Sequence, residues 1–451
     1  MKLPDSARRL LVLGLRPVAQ VCPGEAIGAG ALMLGSFLLL SAYYLLKTVR
    51  EPLILLQGGA EMKLYARAAQ AVLMVGVVQI YGGVAKRVDR MKLLAIVFGF
   101  FVSNLAVFAL LSRTQIAIGL AFFLWVGLFS YTAVAQFWAF AADIYSEEQG
   151  KRLFPVIGIG SSVGAVAGSR LAKSLVPFGP HALMGAAAVL LVACAGILAW
   201  VERREGVAGR SHDGAAADEK LSNEGALHLV LHDRYLLLIA AMTMLLNWVN
   251  SAGEYVFDRT LLAAIPATHT NPAAAQAFIG AVKADYFAWY NALGMLLQLF
   301  AVSRILTRLG VRNALLFLPV FALFGYGSAV ALPTLAVIRL VKIGENALEY
   351  SVAETSRHAL YLVGSRVEKY VGKTSVDTIA VRVGAILSGA VVWIGGRVHL
   401  SNVAFAEVNV VLTLLWLGVV FATGREHALR TAGGGARGTP AVVDKAAPAA
   451  L

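Results

Sequence analysis

The stretch EAIGAGALMLGSFLLLSAYYLLKTVREPL, residues 25–53, decides what kind of fold this chain can have. No charge falls between Glu25 and Lys47. A helix rises about 1.5 Å per residue, so this run can cross a hydrocarbon core of roughly 30 Å. The same window finds further apolar runs near 64–84, 93–111, 116–141, 155–173, 180–201, 235–255, 283–303, 313–332, 334–354, 375–396 and 402–422, about twelve in all. Charges interrupt the second and the tenth, at Arg67 and at Arg339, Lys342, Glu345 and Glu349. The expected fold class is an all-α integral membrane protein.

Composition agrees. Of 451 residues, 59% are hydrophobic and 14% charged, with a mean hydropathy of +0.72. Soluble domains carry about 25% charged residues, and disordered chains need low hydrophobicity, so both classes are excluded. Cys22 and Cys194 are too few for a disulfide framework or a zinc site. The histidines (among them His181, His269 and His427) are scattered, without nucleophile–base or metal spacing. No enzyme, cofactor or metal is expected.

The most polar internal segment, 202–234, divides the runs into six and six. The expected organisation is a leader at 1–24, a bundle at 25–201, a linker at 202–234, a second bundle at 235–423 and a disordered tail at 424–451. GGVAKRVDRMKLL (82–94) and SRILTRLGVRNALL (303–316) are short basic loops at equivalent places in the two halves. That repeat matches the two pseudo-symmetric six-helix bundles of major facilitator transporters, and the first loop partly matches that superfamily's Gly-x-x-x-Asp-Arg-x-Gly-Arg pattern. Lys and Arg concentrate on one side of the spans, and the opposite loops hold few, such as Lys63, Arg113, Arg259 and Arg397. Both termini and the linker are therefore expected in the cytoplasm of a bacterium, with the spans in its inner membrane.

Ionisable residues inside spans are costly and mark functional sites. Lys47, Arg50 and Glu51 close the first run, with Lys47 and Glu51 one turn apart on one helix face. Span ends with snorkelling side chains are the alternative there. Asp143 follows Gln136 and Trp138 at the end of the fourth run, where Ser146 and Gln149 also fit a capping box. Gly160, Gly164 and Gly168 in the fifth run have the spacing of close helix packing. Asn247, Asn250 and Glu254 share a face of the seventh run, and Lys283 and Asp285 open the eighth, as a gate or an extracellular cap. Arg339, Lys342, Glu345 and Glu349 face either a watery cavity or a surface.

The segment EYSVAETSRHALYLVGSRVEKYVGKTSVDTIAVRVG (349–384) resembles the ATP/ADP translocase, or nucleotide transporter, family of plastids and obligate intracellular bacteria. The matching residues are Tyr350, Ser351, Glu354, Arg357, Tyr361, Glu368, Lys369, Gly372, Lys373, Asp377, Arg382 and Gly384. KTVREPLILLQGGAEMKLYAR and FWAFAADIYSEEQGKRLFPVIGIGSSVGA resemble two further stretches of that family. The departures are Arg50–Glu51 for Lys-Asp, Ala385 for a Lys, and Glu254 where a Lys is usual.

The resemblance implies a twelve-span exchanger of nucleotides. Lys47, Arg50, Arg339, Lys342 and Lys373 are then candidates for phosphate contacts, and Trp138 or Tyr350 for stacking on a base. Glu51, Asp143, Glu254, Glu345 and Glu349 are candidates for gating or proton coupling. The expected partners are a small anion, nucleotide above all, and the lipid bilayer, with no nucleic acid, the protein acting as a monomer. The alternatives are a proton-coupled facilitator of another anionic or amphipathic solute, and a non-transporting sensor or scaffold.

Overall fold

The computed structural model describes residues 25–85, 87–114, 116–205, 230–268, 271–363 and 372–435. The expected leader, most of the linker, the end of the tail, and Glu368 and Lys369 lie outside the described residues. Among the described residues every regular element is helical. In chain order the α-helices are α1 (Ala26–Ala85), α2 (Arg90–Leu111), α3 (Gly119–Ile144), α4 (Glu147–Leu175), α5 (Pro180–Glu205), α6 (Arg234–Ala263), α7 (Pro272–Phe300), α8 (Val302–Ala314), α9 (Phe317–Ala331), α10 (Leu335–Leu348), α11 (Glu354–Leu360), α12 (Lys373–Arg397) and α13 (Asn402–Gly435).

Eight of the described helices are long and apolar enough to cross a membrane, or nine with the bent α7–α8 pair as one span. The remaining crossings are hidden by breaks. α1 folds back at Gly59, whose φ of 72° suits a residue without a Cβ, so it contributes two antiparallel arms. α9 is short, at 15 residues. α10 continues into α11 through a π-helical turn at Glu349–Ala353. With these joined, each half holds six crossings, as expected.

Four boundaries differ from the sequence reading. The first arm of α1 continues to the Gly59 break, so Lys47, Arg50 and Glu51 lie inside it rather than at its end. α7 starts at Pro272, capped by Asn271, which carries Lys283 and Asp285 into the helix interior. The basic stretch after α7 is the short helix α8, turned 77° from α7, rather than a loop. The tail also begins later. α13 runs to Gly435, and its Arg430 bonds Asp233, the N-cap of α6, at 2.7 and 2.8 Å.

Within each half, helices are held by close backbone approach. A Cβ on Gly160, Gly164 or Gly168 would meet the α1 backbone at Met33, Phe37 or Ser41 within 2.5 Å. Ser36 and Ser41 on α1 donate hydrogen bonds to the Ile157 and Gly164 carbonyls of α4. A Cβ on Gly384 of α12 would likewise meet the Met244 carbonyl of α6 at 2.5 Å, the equivalent pair in the second half. Ser146 caps α4 with Gln149, as the capping-box spacing anticipates.

Candidate functional site

The outer ends of α1 and α13 lie at one face of the bundle, here the terminal face. The Gly59 break and the α12–α13 turn lie at the opposite, far face. Between the halves is a cavity of about 520 Å³. It reaches Met74 and Asp377 toward the terminal face and stops at Arg50, Arg67 and Glu254 toward the far face. Its wall is largely polar and aromatic, with Tyr131, Tyr290 and Tyr350 from three different helices.

An ion network closes the far end. The Lys63 ammonium donates to three carboxylates: Glu51, Glu254 at 2.9 Å and Asp258 at 2.7 Å. Lys283 pairs with Asp258 and, at 3.4 Å, with Glu51. Arg50 donates twice to Glu51, at 2.8 and 3.2 Å, and Arg67 pairs with Glu254. Four of these groups come from α1 in the first half, and three from α6 and α7 in the second. The network therefore ties one half to the other. Glu51, Glu254 and Asp258 are close enough to suit a cation, and Lys63 supplies one. Arg170 and Lys173 of α4 add bonds to Asp285 of α7, and Tyr255 donates to Glu61 at 2.7 Å.

Above the network, Lys47 is held differently. Its ammonium lies 4.7–5.9 Å from the ring centres of Tyr43, Tyr44, Phe287 and Tyr290, and donates to the Tyr290 hydroxyl at 3.0 Å. Tyr44 and Tyr290 share a 2.9 Å hydrogen bond across the halves. Cation–π attraction offsets part of the cost of holding an ammonium there without a carboxylate.

A second chain of polar groups starts at the cavity wall. Asn250 donates to Glu349, and Lys342 donates to the Asn250 side chain and to Glu345, each at 2.7 Å. Tyr326 completes the chain by donating to Glu345 at 2.7 Å. The π-helical turn places Glu349 and Tyr350 in the cavity wall, a common use of such turns. Tyr350 is 58% exposed there and lies 5.9 Å from Tyr290 at a tilt of 30°.

The structure thus brings Lys47, Arg50, Glu254, Glu349 and Tyr350 to one cavity. Glu51 lies behind it in the ion network, and Lys342 and Glu345 lie behind it on the Asn250 side. Beyond these three, four more expected residues do not line it. Trp138 packs edge-on against Phe154 of α4. Arg339 lies three residues before Lys342 on α10, is half-buried and does not reach the cavity wall. Asp143 is exposed near the end of α3, and Lys373 sits at the first turn of α12. Of the motif residues, Arg357 bonds both Glu354, at 2.6 Å, and Asp377, at 3.1 Å, while Arg382 faces the cavity. Glu254 and Ala385, the two places where a Lys was expected, both line it.

Sequence reasoning placed Lys63 in a loop, but it is 2% exposed at the centre of the network. Arg67 and Asp258 were also missed as site residues. A signal was present: Lys63 and Arg67 are an i, i+4 cation pair, and Glu254 and Asp258 an i, i+4 carboxylate pair. The first pair follows its half's first apolar run, and the second straddles the end of its own.

No protein-family model matches the chain. It is similar to two curated proteins named ADP,ATP carrier protein 1. Identity is 22% with that of Chlamydia trachomatis serovar D and 23% with that of Chlamydia muridarum, each over 325 residues. The matched region is 62% of this chain, and the chain spans 60% of those relatives' length. Among solved structures, the nucleoside transporter NupG is 12% identical with a TM-score of 0.62, over 90% of this chain and 99% of that one. A bacterial homolog of the human lysosomal transporter Spinster is 14% identical with a TM-score of 0.61, over 91% and 99%. A POT-family transporter solved with 5-aminolevulinic acid is 11% identical with a TM-score of 0.61, over 89% and 96%. The chain has the major facilitator fold of two six-helix bundles, with a remote sequence likeness to ADP,ATP carriers.

Proposed function

We propose that this protein is a secondary transporter that moves a nucleotide-class organic anion across a bacterial inner membrane by alternating access. The observation that carries the reading is the pairing of a buried cation-bearing cavity with a cross-half ion network at one of its ends. A cavity closed at the far face and reaching toward the terminal face is one of the two states alternation requires. The basic residues on the terminal side support a cytoplasmic placement of that face, and of both termini. Arg50 and Arg67 belong to the cavity wall and to the network at once. An anion entering from the terminal side attracts both, weakens their hold on Glu51 and Glu254, and so favours opening of the far face. An empty cavity leaves the network intact, which couples outward movement of one anion to inward movement of another. The remote likeness to ADP,ATP carriers supports exchange.

The test is uptake of labelled adenine nucleotides by proteoliposomes with and without nucleotide inside. The expected result is uptake that depends on internal nucleotide and falls roughly 10–100-fold in Lys47→Gln. Uptake at the rate of protein-free liposomes contradicts the reading. A second reading, proton-coupled transport of another anion, is favoured by the Glu349–Asn250–Lys342–Glu345 chain, which joins the cavity to a buried carboxylate. It predicts accumulation driven by a pH gradient with no counter-substrate inside.

A further inference from the structure

Resting on the nucleotide-class reading above, we infer that the cavity is matched to a monophosphate bearing a flat ring, of the nucleoside monophosphate type, rather than to a di- or triphosphate. The argument is a charge inventory of the wall. Lys47, Arg50, Arg67 and Arg382 supply its cations. Two of these are engaged: Arg50 makes two hydrogen bonds to Glu51, and Arg67 is paired with Glu254. Among the described residues, neither Lys47 nor Arg382 has a carboxylate within salt-bridge distance. They stand on α1 and α12, one in each half.

Two uncommitted cations match a single phosphate monoester, which carries about −1.5 to −2 at pH 7. Each further phosphate adds negative charge, and of the wall's carboxylates Glu254 and Asp377 are already paired, with Lys63 and Arg67 and with Arg357, while Glu349 meets the Asn250 amide and, among the described residues, no cation. Excess anionic charge would face Glu349 and no further uncommitted cation, at a depth where unpaired charge is costly. A longer phosphate chain needs Arg50 and Arg67 already in the bound state with the far face closed, before the network has opened.

The rest of the wall suits the ring. Tyr350 presents an exposed face backed by Tyr290, a stacking platform. Gln70 and Asn247 offer amide donors and acceptors for heteroatoms of a base. At about 520 Å³ the space lies within the usual range of small-ligand pockets, roughly 300–1,000 Å³.

The experiment measures thermal stabilisation of the purified wild-type protein by AMP, ADP, ATP and adenosine. AMP is expected to act at concentrations at least about tenfold lower than ADP, ATP or adenosine, the scale of one hydrogen-bonded charge contact. Lys47→Gln and Arg382→Gln are each expected to weaken the AMP response roughly 10–100-fold, with little effect on adenosine. Tighter binding of ADP or ATP than of AMP overturns this inference and leaves the nucleotide reading standing. Indifference to all four compounds overturns both.

Discussion

The far-face network and the central cavity are built from the same residue types within a few helical turns of each other. In the network each ammonium or guanidinium touches a carboxylate, and Lys63 touches three. In the cavity, Lys47 is surrounded by rings and a hydroxyl, and Arg382 by no carboxylate among the described residues. Desolvating a charge costs several kcal/mol, offset by an opposite charge in good geometry. The network therefore carries its own compensation and holds the halves together. The cavity does not, and its compensation must arrive from outside. A joint and a binding site differ here in pairing rather than in composition.

The contrast can be broken most severely at Lys63. Lys63→Ala leaves Glu51, Glu254 and Asp258 without their shared cation, and is expected to destabilise the protein by about 3–5 kcal/mol. Thermal unfolding in detergent measures this, and an unchanged melting temperature denies the network its role as a joint. Next in size is a charge exchange across the halves. Arg67→Glu and Glu254→Arg are each expected to abolish transport, and the double variant to restore part of it. A double variant no better than either single one removes that pair from the mechanism.

Lys47→Gln sharpens the comparison from the other side. It is expected to cut transport by roughly 10–100-fold while lowering stability far less than Lys63→Ala, because no buried carboxylate is stranded. Equal loss of stability in the two variants would erase the distinction. The smallest effect belongs to the Asp233–Arg430 pair at the terminal end of α6. Burial alone would raise the pKa of Asp233, but the Arg430 hydrogen bonds and the Leu236 amide outweigh it and hold it below the ordinary carboxylate value. Its contribution is fully present above that ordinary value, about 3.9, and fades as pH falls through the lowered one. Asp233→Asn keeps a capping side chain but loses the ion pair with Arg430, and is expected to cost about 0.5 kcal/mol at pH 7 and nothing once the pH is below the lowered value.

The fold was legible because hydropathy is written locally: apolar runs, a polar linker and basic loops need no knowledge of packing. The α4 glycines were legible for the same reason, since their spacing defines one helix face. The site was legible only in part. Lys47 and Tyr350 stand out as polar groups in apolar runs, but their sharing of one cavity depends on how α1, α7 and the π-helical turn rotate against each other. Lys63 was misplaced because the Gly59 fold-back makes a continuous helix change direction, which turns an apparent loop residue into a buried one. Trp138 was taken for a base-stacking ring, yet hydropathy does not tell a cavity-facing face of α3 from one packed on α4.

The most direct test of alternation reads both faces of the molecule in one preparation. Spin labels at Phe178 and Val398 report the far face, and labels at Lys92 and Leu309 the terminal face; all four residues are exposed. Distances within each pair are measured by pulsed electron resonance with and without nucleotide. The account predicts that nucleotide lengthens a fraction of the far-face distances and shortens a fraction of the terminal-face distances. Distributions at both faces that are the same with and without nucleotide would contradict it.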